Sequence, residues 1–281
     1  MRDCIWSVCR YGLLLLSACA VLFSQTPPSE KQPAALPETG FYDFVAVGVG
    51  HDSFTGYSGE LDVSVGYDFS RALEVETGLP FYFLSRTAFL AEPGVIHDSY
   101  RYSSFGDAFV KAAITPHDHW VDYQATVTVT APTGAANVST GQATWEWNSR
   151  VENDWWYLHP FGEFVLGNVP PVTPRLGAYK IMGFAAQVHA GNSFDMEKMG
   201  SFDVSFYESV PIGNAHAFFT GVTAAPLPPF NLFSDHGFTG DYSKPAGRFA
   251  FDLTYSRSIA HAVDALSLTV GYRMGHRRID Q

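Results

Sequence analysis

Ionisable side chains in this chain recur at alternate positions of otherwise apolar stretches, and that spacing limits the chemistry open to them. Asp62, Asp68, Glu74, Glu76, Asp107, Lys111, Asp122, Glu146, Arg150, Glu152, Asp203, Asp252 and Arg273 are the residues in question. Charges confined to one face of an extended chain can line a passage and filter solutes. Glu74, Glu76, Asp107 and Lys111, on adjacent segments, are the candidate constriction, with Asp122, Glu146 and Arg150 as further lining residues. The same groups can equally form an ion-pair and hydrogen-bond network that fills an enclosed interior, and both readings stay open at this point.

Other chemistry has less support. His117-Asp118-His119 offers two imidazoles, yet it follows Pro116 in a turn, where solvated polar residues are ordinary. No His-Glu-x-x-His or Cys-x-x-Cys spacing occurs, so neither a metal nor another cofactor is implied. Serines and His97 lie in loops, but no Gly-x-Ser-x-Gly elbow accompanies them, and the chain reads as no enzyme.

The elements that must position these residues are strands. Between Leu61 and Phe69 the apolar positions are Leu61, Val63, Val65, Tyr67 and Phe69, while Asp62, Ser64, Gly66 and Asp68 face the other way. The same period of two runs through Leu73 to Leu79, Val121 to Ala131, Phe249 to Tyr255 and Leu266 to Met274. Further candidate strands are 41–50, 105–115, 144–153, 155–167, 178–190, 202–209 and 216–223. Alternation by itself also suits a soluble sandwich. Three features favour a membrane: no helical period from residue 41 onward could cover an apolar sheet face, aromatics gather at strand ends (Phe81-Tyr82-Phe83, Trp155-Trp156-Tyr157), and short turns alternate with long loops.

Lipid offers backbone groups no partners, so a sheet in a bilayer must close on itself. The expected fold is therefore all-β, a transmembrane antiparallel up-and-down β-barrel of about 12 strands, with 10 to 14 allowed by the irregular stretch Ala225 to Gly247. Such a barrel implies an outer-membrane channel or transporter for small molecules. A membrane-embedded lipid hydrolase and a non-conducting structural or adhesive barrel are the alternatives.

Bulk properties agree. Aromatics make up 15% of the 281 residues and charged residues only 16%, well short of the roughly 25% charged in an average soluble domain. A net charge of -11 with no basic cluster excludes a nucleic-acid partner, since phosphate binding needs clustered Lys and Arg. Cys4, Cys9 and Cys19 all lie in a basic-then-apolar leader, so the rest of the chain is without thiol chemistry. Residues 1–24 read as a signal peptide for export to the outer membrane, 25–40 as a flexible mature N-terminus and 41–281 as the barrel with a short tail. Leu16-Ser17-Ala18-Cys19 also resembles a lipobox, which leaves lipidation of Cys19 open.

Three short motifs add a resemblance. Glu74 to Phe81, ending in Gly78-Leu79-Pro80-Phe81, the turn Ser104-Phe105-Gly106-Asp107-Ala108, and Val129-Thr130-Ala131-Pro132-Thr133-Gly134 with Gly141 downstream are similar to the outer-membrane family named for the MetA-pathway of phenol degradation. That resemblance implies a transporter of small hydrophobic or aromatic compounds, with Pro80, Gly106, Pro132, Thr133, Gly134 and Gly141 in structural roles. The partners implied are outer-membrane lipid, the solute and the barrel-assembly machinery; the oligomeric state is left open. The chain departs from the pattern at its C-terminus, where Met274 and a polar tail replace the usual terminal aromatic.

Overall fold

The computed structural model describes residues 39–275 apart from 54–55, 71, 87–88, 93–94, 98–99, 117–120, 136–137, 154–157, 172–178, 197–198 and 220–230. The expected leader, Cys19, the flexible start at 25–38, the polar tail after 275 and the His117 to His119 turn lie outside the described residues.

Seventeen strands are described: β1 (Gly40–Asp52), β2 (Gly56–Asp68), β3 (Leu73–Arg86), β4 (Phe89–Glu92), β5 (Val95–His97), β6 (Tyr100–Phe105), β7 (Phe109–Ile114), β8 (Asp122–Thr130), β9 (Thr144–Glu152), β10 (His159–Gly167), β11 (Tyr179–Met182), β12 (Ala185–Asp195), β13 (Ser201–Pro211), β14 (His216–Phe219), β15 (Asp235–Ala246), β16 (Phe249–Ser258) and β17 (Val263–Gly275). Every pairing is antiparallel. β3 takes β6 along its later half and β7 along its earlier half, so these two form one wall position interrupted at Gly106 to Ala108. β1 pairs both β2 and β17, and that last pairing closes a twelve-position barrel. Two small ribbons, β4–β5 and β11–β14, stand outside the wall sheet.

Closure gives the wall strands a strand partner on both sides, except that β6 pairs with β3 and meets the 131–143 connection at Phe105, and the side chains divide between bore and exterior. On β2, Val63 is 48% exposed and Val65 46%, while Ser64 between them is 2% and Asp68 1%. Valine exposed and serine buried inverts the order of a soluble protein; the apolar surface meets lipid. Rings edge this apolar band at both ends. Phe41, Tyr67 and Phe69 interlock edge-to-face at 4.7 and 4.8 Å near one rim, Tyr57 meets His51 at 4.5 Å near the other, and between them Phe81 meets Phe83 and Phe105 at 4.8 and 4.9 Å. Tyr57 and Tyr67 lie ten positions apart on β2, about 33 Å of strand, which a tilt of about 40° reduces to roughly the 25 Å of a membrane-barrel apolar band.

The rim holding residues 40 and 275 carries the short turns, and the opposite rim carries the long connections 87–99, 131–143, 168–184 and 212–234. The strand total stands at the expected twelve, but by way of two corrections. Residues 216–219 belong to the β11–β14 ribbon rather than to the wall. The wall strand in that part of the chain is β15, inside the stretch expected to be irregular, where Gly237, Gly240 and Pro245 mask its alternation. The exchange moves the long 212–234 connection to the same rim as the others, whereas the expected map set it among the short turns. A third change concerns 178–190, expected as one strand and divided at Gly183, whose positive φ of 81° turns the chain between β11 and β12.

Candidate functional site

The polar parity of each strand faces the enclosed bore, and its rings are held against the wall by glycines on neighbouring strands. A Cβ added to Gly66 would stand 2.1 Å from the Tyr42 ring, and one added to Gly271 would stand 2.4 Å from Phe44. Any side chain there would push an aromatic ring into the passage, so these glycines preserve space that charged groups then occupy.

One charged group spans the closing seam. Arg273 on β17 reaches past β1 to Asp68 on β2 at 2.6 Å and to Glu74 on β3 at 3.9 Å, and its guanidinium lies 3.6 Å above the Tyr42 ring. On the same side, Glu76 accepts a hydrogen bond from the Ser64 hydroxyl and faces the Lys111 ammonium at 3.7 Å. A second group lies around Arg150 on β9. Its guanidinium binds Glu152 at 2.6 Å and Asp203 at 2.7 Å, the latter across two intervening strands, and covers the Phe161 ring at 3.8 Å. Nearby, Asn148 donates to Glu163, Glu163 stands opposite His189 on β12, and the His189 ring stacks on Tyr207 at 5.4 Å. Asp203 is in register with Asp241 on β15.

Glu74, Glu76 and Lys111 thus lie in one group, with Asp68 and Arg273. Arg150 belongs to the second group. Asp122, opposite Glu152, is exposed at the short-turn end, and Glu146 lies toward the other rim opposite Thr128 and Gly167. Asp107 is elsewhere. It is 8% exposed and accepts hydrogen bonds from Gly134 N (2.8 Å), the Ser139 hydroxyl (2.9 Å) and Thr140 N (3.2 Å), all in the 131–143 connection. Sequence reasoning passed over Glu163, His189, Asp241 and the buried Asp235. Glu163 shares its parity with Phe161 and Val165, whose apolar character masks the polar face of β10; Asp235 and Asp241 sit on β15, within the stretch expected to be irregular.

The three motifs meet at one joint. Gly106 N donates to the Pro80 carbonyl at 2.8 Å, Ala108 N donates to the Thr133 hydroxyl at 2.8 Å, and the space beside Gly134 is filled by the backbone of Gly106, 2.6 Å from where a Cβ would be. Pro132 leads the connection into this contact and Gly141, with φ 72°, turns it back toward β9. Where β6 gives way to β7, the 131–143 connection takes over as the neighbour of the wall.

Across the long-connection rim, the β11–β14 ribbon packs Ile181, Ala215 and Ala217 against Leu232, Phe233 and the bore-facing Ala185. Beneath it Asp235, 2% exposed, accepts hydrogen bonds from the Tyr207 hydroxyl at 2.8 Å and the Ser258 hydroxyl at 2.6 Å.

Together these features define a class: a twelve-stranded transmembrane β-barrel with a charged, ion-paired bore. Neither a family model nor a curated protein matches the chain, so the motif resemblance rests on its own residues. Among solved structures, the chain is similar to an outer membrane channel from Pseudomonas putida F1, with TM-score 0.47 and 9% identity over 89% of this chain and 100% of that one. It is also similar to the translocator domain of the autotransporter NalP from Neisseria meningitidis, with TM-score 0.43 and 9% identity over 98% of both chains. Against OmpF of Salmonella typhi in complex with daunomycin, the TM-score is 0.32 and the identity 6%, over 85% of this chain and 98% of that one.

Proposed function

We propose that this protein is an outer-membrane channel for small solutes and that its bore favours cations. The even strand number, the short turns at the terminal rim and the apolar exterior are those of a bacterial outer-membrane barrel, with the long connections facing outward. The observation that carries the charge preference is the imbalance of the lining. Among the described residues, Asp62, Asp68, Glu74, Glu76, Asp122, Glu146, Glu152, Glu163, Asp203, Asp241 and Asp252 carry the bore-facing parity of the wall strands, against Lys111, Arg150 and Arg273. Each of those three cations is already engaged by carboxylates of the wall, within 2.6 to 3.9 Å. An entering anion finds no unengaged partner among them, whereas an entering cation meets surplus negative charge between low-dielectric walls that focus the field.

At twelve strands the bore lies between small barrels filled by side chains and the open sixteen-stranded porins, so solutes are small. Taken with the aromatic solutes implied by the motif resemblance, the acidic lining points to organic cations with a flat apolar part. The test is the zero-current potential of single barrels in a planar bilayer under a KCl gradient, followed by liposome swelling with cationic, neutral and anionic aromatic solutes. A potential of the sign for K⁺ over Cl⁻ and faster entry of the cationic aromatics are expected. A sealed barrel, or preference for Cl⁻, overturns the reading.

A further inference from the structure

The β11–β14 ribbon invites a role of its own. It continues the β12–β13 hairpin beyond Gly183 and Gly213, whose φ values of 81° and 65° turn both chains at the same level. Past that bend the ribbon leaves the line of the wall. Ala185, buried at 1%, faces the bore, and Phe233, fully buried, packs in the same cluster, which places the cluster on the inner side of the mouth. Ser209, another bore-facing residue, donates its hydroxyl to the Phe233 carbonyl at 2.9 Å. From the neighbouring long connection, the Gln142 amide donates to the Ile181 carbonyl at 3.3 Å. Asn231 ties the pieces together: its side-chain oxygen accepts from Ala217 N at 3.0 Å and Phe233 N at 3.1 Å, and its amide donates to the Ala215 carbonyl at 2.8 Å.

We infer that this ribbon, with residues 231–234, is a cap seated in the outer mouth that restricts entry to the bore, an inference that rests on the channel reading. Its seat is small. Ile181, Leu232 and Phe233 supply most of its apolar volume, and among the described residues it meets the wall beneath through Ala185 and the Ser209 hydroxyl, neither contact being a β12–β13 backbone rung, so it can lift without unzipping that pairing. The two glycine bends set the line along which it would lift. The Asp235 carboxylate, fixed by Tyr207 and Ser258, holds the chain at the point where the capping segment rejoins the wall as β15, and stays in place when the cap rises.

The inference is tested with the full chain carrying Ser209→Cys and Phe233→Cys, its Cys4, Cys9 and Cys19 replaced by serine. Once the disulfide is verified by mass, the oxidised barrel should conduct at the level of the unmodified protein. Reduction of the same preparation breaks the bond and leaves the cap with neither the disulfide nor the Phe233 ring to hold it, and conductance should rise at least twofold, with larger sugars entering in liposome swelling. Asn231→Ala with Leu232→Ser, which needs no cross-link, should give the same rise. Equal conductance in oxidised and reduced forms, together with an unmoved double substitution, overturns the cap. Absence of conductance in every form, the unmodified protein included, overturns the channel reading instead.

Discussion

Asp107 and Glu76 are both carboxylates in the first half of the barrel, yet they have different tasks. Asp107 gathers two backbone amides and a hydroxyl from the 131–143 connection, whereas Glu76 faces Lys111 in the bore. Hydrogen bonds to a charged group contribute about 1.5–3 kcal/mol each in net terms. Asp107→Ala is therefore expected to lower barrel stability by at least that much while leaving ion preference unchanged, as measured by the temperature at which the folded band is lost on a gel and by the zero-current potential. Glu76→Gln is expected to do the reverse: little loss of stability and a measurable fall in K⁺ preference. Arg273 tests the balance from the other side. Removing its charge by Arg273→Met leaves Asp68, which is 1% exposed, and Glu74 without their guanidinium. Breaking one partner out of a buried pair costs about 3–5 kcal/mol, so a destabilised barrel with stronger cation preference is expected.

At the scale of the strand, parity decides which substitutions matter. Val63→Lys places an ammonium on the lipid face near the middle of β2, where it costs about 2–4 kcal/mol; an unfolding titration in detergent or lipid should show that loss. Gly237 probes β15. A Cβ there would stand 1.9 Å from the Arg257 carbonyl oxygen and 2.8 Å from the Tyr207 hydroxyl, so Gly237→Val should prevent the β15–β16 rungs from forming. The heat-resistant folded band should be absent for this variant. If it folded normally, β15 would not be a wall strand in the register described.

For the whole molecule, charge preference follows from a field summed over the bore, and that field is screened by salt. The Debye length shrinks from about 10 Å at 0.1 M to about 3 Å at 1 M. Cation preference should weaken between those concentrations, as read from zero-current potentials at a constant concentration ratio. A preference that does not change with salt would point instead to contact with individual residues.

What the sequence determined by itself was the class of fold and the parity of its strands. A period of two is a local property, and Leu61 to Phe69 or Val121 to Ala131 show it without reference to any neighbour. Closure followed from the same pattern, because lipid on one face leaves no place for an open edge. Tertiary structure decided which polar residues meet. Arg150 and Asp203 are 53 positions apart, and Arg273 and Asp68 are 205 apart; such pairs depend on register and on barrel closure, which no single segment encodes. The three motifs could be read separately, but their convergence on the Gly106 joint could not. β15 escaped notice for a related reason: its glycines and proline look like punctuation until the Tyr207 ring and the neighbouring backbone that need the space are in place.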